Sequence, residues 1–195
     1  MEKQGKKYDI IYADPPWKFK VWSDKGMGRS ADKHYQTQGL AYLQSLDIAA
    51  IANPDCILLM WATFPCLEQA LTLGRDWGFT YKTVAFTWVK TNKNNGRLFL
   101  GMGYYTRANA EIVLLFTKGK PLSRMARNVP QALVSPRLRH SEKPPEIRNR
   151  IVQLLGNRPR LEMFARDKAG TDVFRGWDVF GNEAKQSVVI ATTTN

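Results

Sequence analysis

The chain has 195 residues, the size of one ordinary domain, with 44% apolar and 24% charged residues, a normal balance for a soluble globular protein. Two cysteines, Cys56 and Cys66, cannot by themselves make a disulfide framework or a four-ligand zinc site; no apolar run reaches 18 residues, and the polar start Met1–Lys7 has no signal-peptide core, so a cytoplasmic protein is expected. Lys and Arg number 29 against 17 Asp and Glu, a net charge of +12 that points to a polyanionic partner, nucleic acid ahead of an anionic membrane.

The first predicted strand is Tyr8–Ala13, which runs into Asp14-Pro15-Pro16-Trp17. Residues 40–52 read as one or two short helices. Residues 56–62 form a continuous apolar run suited to a buried parallel strand. Leu67, Ala70, Leu71 and Trp77 follow at helical spacing, and Gly78 is placed to end that helix. Residues 82–90 and 111–117, rich in β-branched and aromatic side chains, predict two strands joined by a basic loop. Residues 123–141 show little periodicity and read as a long loop. Pro144 and Pro145 open a helix whose apolar stripe is Ile147, Ile151, Leu154 and Leu155, with Gly156 at its end. Short strands are expected at 160–165 and 176–180, and a frayed tail after Glu183. The alternation predicts one domain over residues 1–195, with its core at about 8–183. Its class is α/β, with a mostly parallel sheet and helices on both faces. Ligands of such sheets sit at the carboxyl ends of strands.

The charge is unevenly placed. Residues 77–168 carry 18 basic and 5 acidic side chains, a net of +13, and the rest of the chain carries 11 and 12, a net of −1. Lys93, Arg97, Arg124, Arg127, Arg137 and Arg139 lie in segments that read as loops, with Phe99, Tyr104 and Tyr105 nearby. Basic loops with interleaved aromatics suit a groove that follows phosphates and stacks bases, so these six cations are the candidate substrate-binding residues. No run has the density of a basic membrane-surface helix, so no membrane partner is expected.

Asp14-Pro15-Pro16-Trp17 is the candidate catalytic motif. Two prolines stiffen the backbone and remove two amide donors. The result is a rigid receptor offering a carboxylate, carbonyl acceptors and a large aromatic face. That set suits a planar ring bearing an exocyclic amine, which donates two hydrogen bonds while its ring stacks on Trp17. The lone pair of such an amine is delocalised, so the nitrogen is a poor nucleophile. Acceptors at the Asp14 carboxylate and the Pro15 carbonyl would hold its N–H groups and favour a more tetrahedral nitrogen. Positioning and electrostatics then carry the reaction. No metal is needed.

Here the sequence resembles the MT-A70-like N6-adenine methyltransferases, which use S-adenosylmethionine on DNA or RNA. The resemblance rests on Asp14-Pro15-Pro16-Trp17 and on five further segments in order. His34-Tyr35-Gln36-Thr37 looks like the family's first gate loop, and Trp88-Val89-Lys90-Thr91-Asn92 like its strand and following loop. His140-Ser141-Glu142-Lys143-Pro144-Pro145-Glu146 looks like its second gate loop. Residues 161–166 and 176–183 look like its cofactor-binding end. The resemblance implies a circularly permuted Rossmann-like methyltransferase, with the catalytic strand early and the cofactor strand late. It implies that Asp14 also borders the cofactor, that Lys143 faces the cofactor's methionine part, and that Glu162, Arg166, Asn182 and Glu183 lie on its ribose or adenine side. Glu162 could instead brace Arg166. Tyr35 would close over the substrate. Ala165 stands where a glycine is usual, and only Met1–Lys7 precede the catalytic strand, so some cofactor contacts are expected to come from elsewhere. A small single-domain build favours DNA over RNA as substrate. An RNA enzyme, a catalytically silent nucleic-acid-binding subunit, and pairing into a homodimer are the alternatives the resemblance leaves open.

Overall fold

A computed structural model of the chain describes residues 5–17, 39–138, 142–165, 175–181 and 188–193. In chain order the elements are β1 (Tyr8–Ala13), α1 (Leu40–Ser45), α2 (Ile48–Ile51), β2 (Ala52–Ala62), a 3-10 turn (Phe64–Cys66), α3 (Leu67–Asp76), β3 (Thr80–Thr91), β4 (Ala110–Lys118), β5 (Ala132–Pro136), α4 (Glu146–Leu155), β6 (Arg160–Met163) and β7 (Asp178–Phe180). The strands form one seven-stranded sheet in the order β5-β3-β4-β2-β1-β6-β7. Only β4 runs against its neighbours, and the other pairings are parallel, as the sequence predicts.

The two-residue side-chain period of a strand splits the apolar run of β2 between two cores. Cys56, Leu58, Met60 and Ala62 enter one, and Ile57, Leu59 and Trp61 enter the other. The first core is closed by Leu43 of α1, Ile48 of α2, and Ala70 and Leu73 of α3. The second is closed by Ile147, Ile151 and Leu155 of α4. Helices therefore cover both faces, in a mixed α/β arrangement of Rossmann-like character. Both thiols belong to the first core. Burial pushes Cys56 up to about 12 and raises Cys66 as well, so neither carries reactive thiolate at neutral pH. Among the described residues no helix is long and apolar enough to cross a membrane.

Two expectations are corrected. The stretch 123–141, read as a loop, contains β5, paired in parallel with β3 from Thr87↔Ala132 to Thr91↔Pro136. β5 is a five-residue edge strand that buries only Leu133, so it has no apolar run to announce it. The tail expected to fray is docked over residues 188–193. Ile190 is buried in the first core, Thr192 bridges Leu46, and the Thr193 amide donates to the Ser45 carbonyl at 2.7 Å. The apolar run Val188-Val189-Ile190-Ala191 is too short to show a period, and only Ile190 of it is buried.

This topology sets one edge apart. β1, β2, β3, β5, β6 and β7 all end on it, and the reversed β4 begins there. β1 and β6 are neighbours, with Ala13 paired to Met163, although some 150 residues separate them in the chain.

Candidate active site

Asp14 is the first residue beyond β1 on that edge. Its amide donates to the Met163 carbonyl at 3.2 Å, so the turn starts already tied to β6. The two prolines then bend the chain inward. The Trp17 amide closes the turn on the Pro15 carbonyl at 2.8 Å. That uses one of the carbonyl's two lone pairs and leaves the other as an acceptor. Pro15 and Trp17 are buried. The indole N–H of Trp17 donates to the Trp61 carbonyl at 3.0 Å, which pins the ring as a fixed wall.

The Asp14 carboxylate is one end of a row of alternating charges. Lys143, just before α4, places its Nζ 2.9 Å from Asp14 Oδ1 and 3.4 Å from Glu111 Oε2. Glu111 in turn pairs with Lys90. Glu111 is the second residue of β4 and Lys90 the second-last of β3, and the pairing of Trp88 with Glu111 and of Val89 with Ala110 sets the spacing. The row thus spans β1, α4, β4 and β3. A carboxylate has about four acceptor positions, so Asp14 can hold Lys143 and accept further donors. Aromatic rings line the same ground. Lys143 Nζ lies 5.4 Å from the Trp61 ring and Lys90 Nζ 4.8 Å from the Trp88 ring, with Trp61 and Trp88 edge to face at 6.2 Å. Tyr12 accepts the Trp61 indole N–H at 2.5 Å and fixes that ring too.

Burial pushes the Glu111 carboxyl up, but the Lys143 and Lys90 ammonium groups, by attraction and hydrogen bonding, outweigh it and hold the group below the usual carboxylate range. A carboxyl with a lowered folded pKa stabilises the fold above its unfolded pKa. That stabilisation is lost as the pH falls through the folded value. The expected result is a melting temperature that drops as the pH falls below about 4.5, the ordinary value for Glu. In Glu111→Gln this part of the drop should disappear, and scanning calorimetry at pH 7 and in steps below 5 checks it.

Glu162, expected at the cofactor, has a different contact. It is buried on β6 and accepts Arg148 of α4 through both oxygens, each at 2.5 Å. Its bracing partner among the described residues is Arg148, and the pair rivets α4 to the sheet. On the same strand end, Phe164 adopts a left-handed backbone (φ 61°), a conformation uncommon outside glycine. The left-handed residue is therefore the one before Ala165. The turn is pressed against Gly181, where an added Cβ would meet the Ala165 carbonyl at 2.5 Å. Such a backbone turn beside the end of β1 fits a small ligand approaching the main chain, as S-adenosylmethionine would.

The expected substrate cations separate into two groups. Lys93, beyond β3, and Arg137, beyond β5, meet in one cleft on the active edge, with Arg137 stacked over the Phe99 ring at 4.6 Å, and Arg97 belongs to the same loop as Lys93. Arg124 and Arg127 do not join them. The Met125 amide donates to the Leu154 carbonyl at 2.8 Å, which sets that loop at the far end of α4. A ten-residue helix is about 15 Å long, so the loop lies well away from Asp14. Tyr35, Arg139, Arg166, Asn182 and Glu183 lie outside the described residues. Sequence reasoning missed Glu111, Lys90 and Arg148. The available signal was a charged residue set at the end of an otherwise apolar strand, as in Ala110-Glu111-Ile112 and Trp88-Val89-Lys90.

The MT-A70 family model matches residues 8–183. The chain belongs to the MT-A70 family. This MT-A70 protein is 43% identical over 194 residues to the Type II methyltransferase M.MunI of Mycoplasma sp, an alignment covering 91% of this chain and 78% of that protein. It is also 36% identical over 92 residues to the N6-adenosine-methyltransferase non-catalytic subunit MTB of Arabidopsis thaliana, covering 47% of this chain and 11% of that one.

Proposed function

We propose that this MT-A70 protein is an S-adenosylmethionine-dependent methyltransferase acting on N6 of adenine, with DNA as its substrate. The observation that carries the reading is the Asp14 carboxylate. It stands on a proline-stiffened turn at the end of a buried strand, pinned by Lys143 at 2.9 Å and walled by Trp17 and Trp61. The 43% identity to a Type II methyltransferase supports methyl transfer, with DNA as the substrate. The carboxylate strand β1 comes first in the chain and β6, with its backbone turn, comes late, yet the two are side by side in the sheet, an order that supports the reading of a circularly permuted Rossmann-like enzyme.

S-adenosylmethionine, when bound, supplies an electrophilic methyl group on a sulfonium. The chain's own residues act on the amine. Asp14 and the remaining lone pair of the Pro15 carbonyl accept its two N–H groups and turn the nitrogen lone pair out of the ring plane. The Asp14 charge offsets the positive charge that develops on nitrogen. Trp17 walls the ring. Lys143 holds the carboxylate in one orientation, and Glu111 with Lys90 holds Lys143. Because N6 is paired in a duplex, the adenine must leave the stack to reach Asp14. The test is transfer of a labelled methyl group to DNA and RNA oligonucleotides. Activity on RNA alone, or on neither, overturns the reading. The similarity to a non-catalytic subunit raises the reading of a silent partner. The intact Asp14-Pro15-Pro16-Trp17 motif speaks against it.

Salt separates the two binding tasks. If Lys93, Arg97 and Arg137 neutralise about three phosphates, DNA affinity should fall roughly 40-fold between 50 and 200 mM salt, while cofactor affinity stays level. Fluorescence anisotropy for DNA and calorimetry for the cofactor measure the two slopes, and equal slopes would contradict this division.

A further inference from the structure

A cleft of about 610 Å³ opens at the carboxyl ends of β3 and β5, lined by Asn92, Lys93, Asn94, Asn95, Arg137 and Leu138. It is separate from the Asp14 site. The Arg137 amide donates to the Thr91 carbonyl at 3.0 Å, which ties the two strand ends together beneath it. The loop above is built by its own amides. Asn92 Nδ2 donates to the Arg97 and Leu98 carbonyls at 3.4 and 3.3 Å, and Asn95 Oδ1 accepts the Arg97 amide at 3.0 Å. Asn94, exposed at the tip, takes part in none of these turn-holding bonds.

The lining combines two cations with three carboxamides. Residues 77–110 and 112–141, which supply all of it, contain no Asp or Glu. Cations without a carboxylate suit a phosphate. A carboxamide, which donates and accepts side by side, suits the edge of a base. The volume lies within the range of small-ligand sites. We propose that this cleft is a second nucleotide subsite, which holds a base flanking the target and makes methylation depend on sequence context, with Asn94 reading the base edge and Lys93 and Arg137 holding its phosphate. The inference rests on the proposed methylation of DNA.

The sheet sets the distance. β3 and β1 are three strand spacings apart, about 14 Å. A stacked strand rises about 3.4 Å per nucleotide, so 14 Å is about four steps, and fewer where the strand is stretched around an extruded adenine. The recognised base should lie two to four nucleotides from the target, on one side only.

The experiment uses the full chain on duplexes with randomised flanks and sequences the methylated products. Wild type should show a base preference at one position in that range. Asn94→Ala should weaken it by roughly tenfold at that position alone. Lys93→Ala should raise KM with the preference kept. A preference absent there, or one that Asn94→Ala leaves intact, overturns the proposal. In parallel, oligonucleotides carrying 5-iododeoxyuridine at each position are photocrosslinked and the adducts mapped. Adducts on residues 92–95 or 137–138 from a flanking base support the subsite even if wild type methylates nothing, an outcome that would bring down the proposed activity by itself. Adducts elsewhere, none at all, or occupation of the cleft by an acidic peptide in place of DNA would overturn the subsite.

Discussion

Replacing Asp14 by Ala is expected to lower methyl transfer to adenine by about 10²–10³-fold in turnover, the usual effect of removing one oriented group that stabilises developing charge. The fold should survive, because the Asp14 side chain is 25% exposed and ends a strand whose pairing uses only main-chain groups. Lys143 would keep Glu111 as its partner at 3.4 Å, so no buried ammonium is left alone. The signature is therefore specific: turnover falls, while melting temperature changes little. Asp14→Asn separates charge from hydrogen bonding. It retains an acceptor for the amine but cannot offset positive charge on nitrogen, so its turnover should also fall. Single-turnover assays with labelled cofactor, beside calorimetric titration of the same variants, check both. Wild-type turnover in Asp14→Ala would remove the basis of the proposed mechanism.

The largest stability effect is expected at Glu162 and Arg148. Glu162 is 5% exposed, and both its oxygens are bound by one guanidinium. Burial pushes its carboxyl up against the opposing pull of Arg148, while Glu162 holds Arg148 more firmly protonated. Taking both charges from water costs about as much as their pairing returns, but deleting one partner strands the other. Glu162→Ala should therefore cost about 3–5 kcal/mol. For a chain of this length that is roughly 6–20 °C in melting temperature, measured by calorimetry. The double variant Glu162→Leu with Arg148→Met should recover most of the loss, since an apolar pair of similar volume needs no compensation. A double variant as unstable as the single one would mean that the pair contributes through its charges and not through mutual compensation. Because this rivet fixes α4, and Lys143 lies just before α4, Glu162→Ala should also loosen the hold on Asp14.

Much of the fold was legible because burial leaves a pattern. β1 and β2 are apolar on both faces, and such runs read directly as central parallel strands. The helices α3 and α4 show their apolar stripes and end at Gly78 and Gly156, both at positive φ. The edge strand β5 and the docked tail were not legible. Each buries one residue and owes its shape to main-chain bonds with a partner far along the chain, and such bonds leave no trace in side-chain type.

The candidate site divides in the same way. The chain's own order determined the motif Asp14-Pro15-Pro16-Trp17, its place at the end of a buried strand, and the basic bias of residues 77–168. These are local facts of composition and covalent neighbourhood. Only tertiary structure decided which cations share an edge. It joined Lys93 and Arg137 and set Arg124 and Arg127 at the other end of α4. It also decided that Lys143 stands between Asp14 and Glu111, and that Glu162 is tied to Arg148. Ion pairing depends on distances of a few ångströms between residues up to 129 positions apart, and those distances are set by strand order and register, which no single segment encodes.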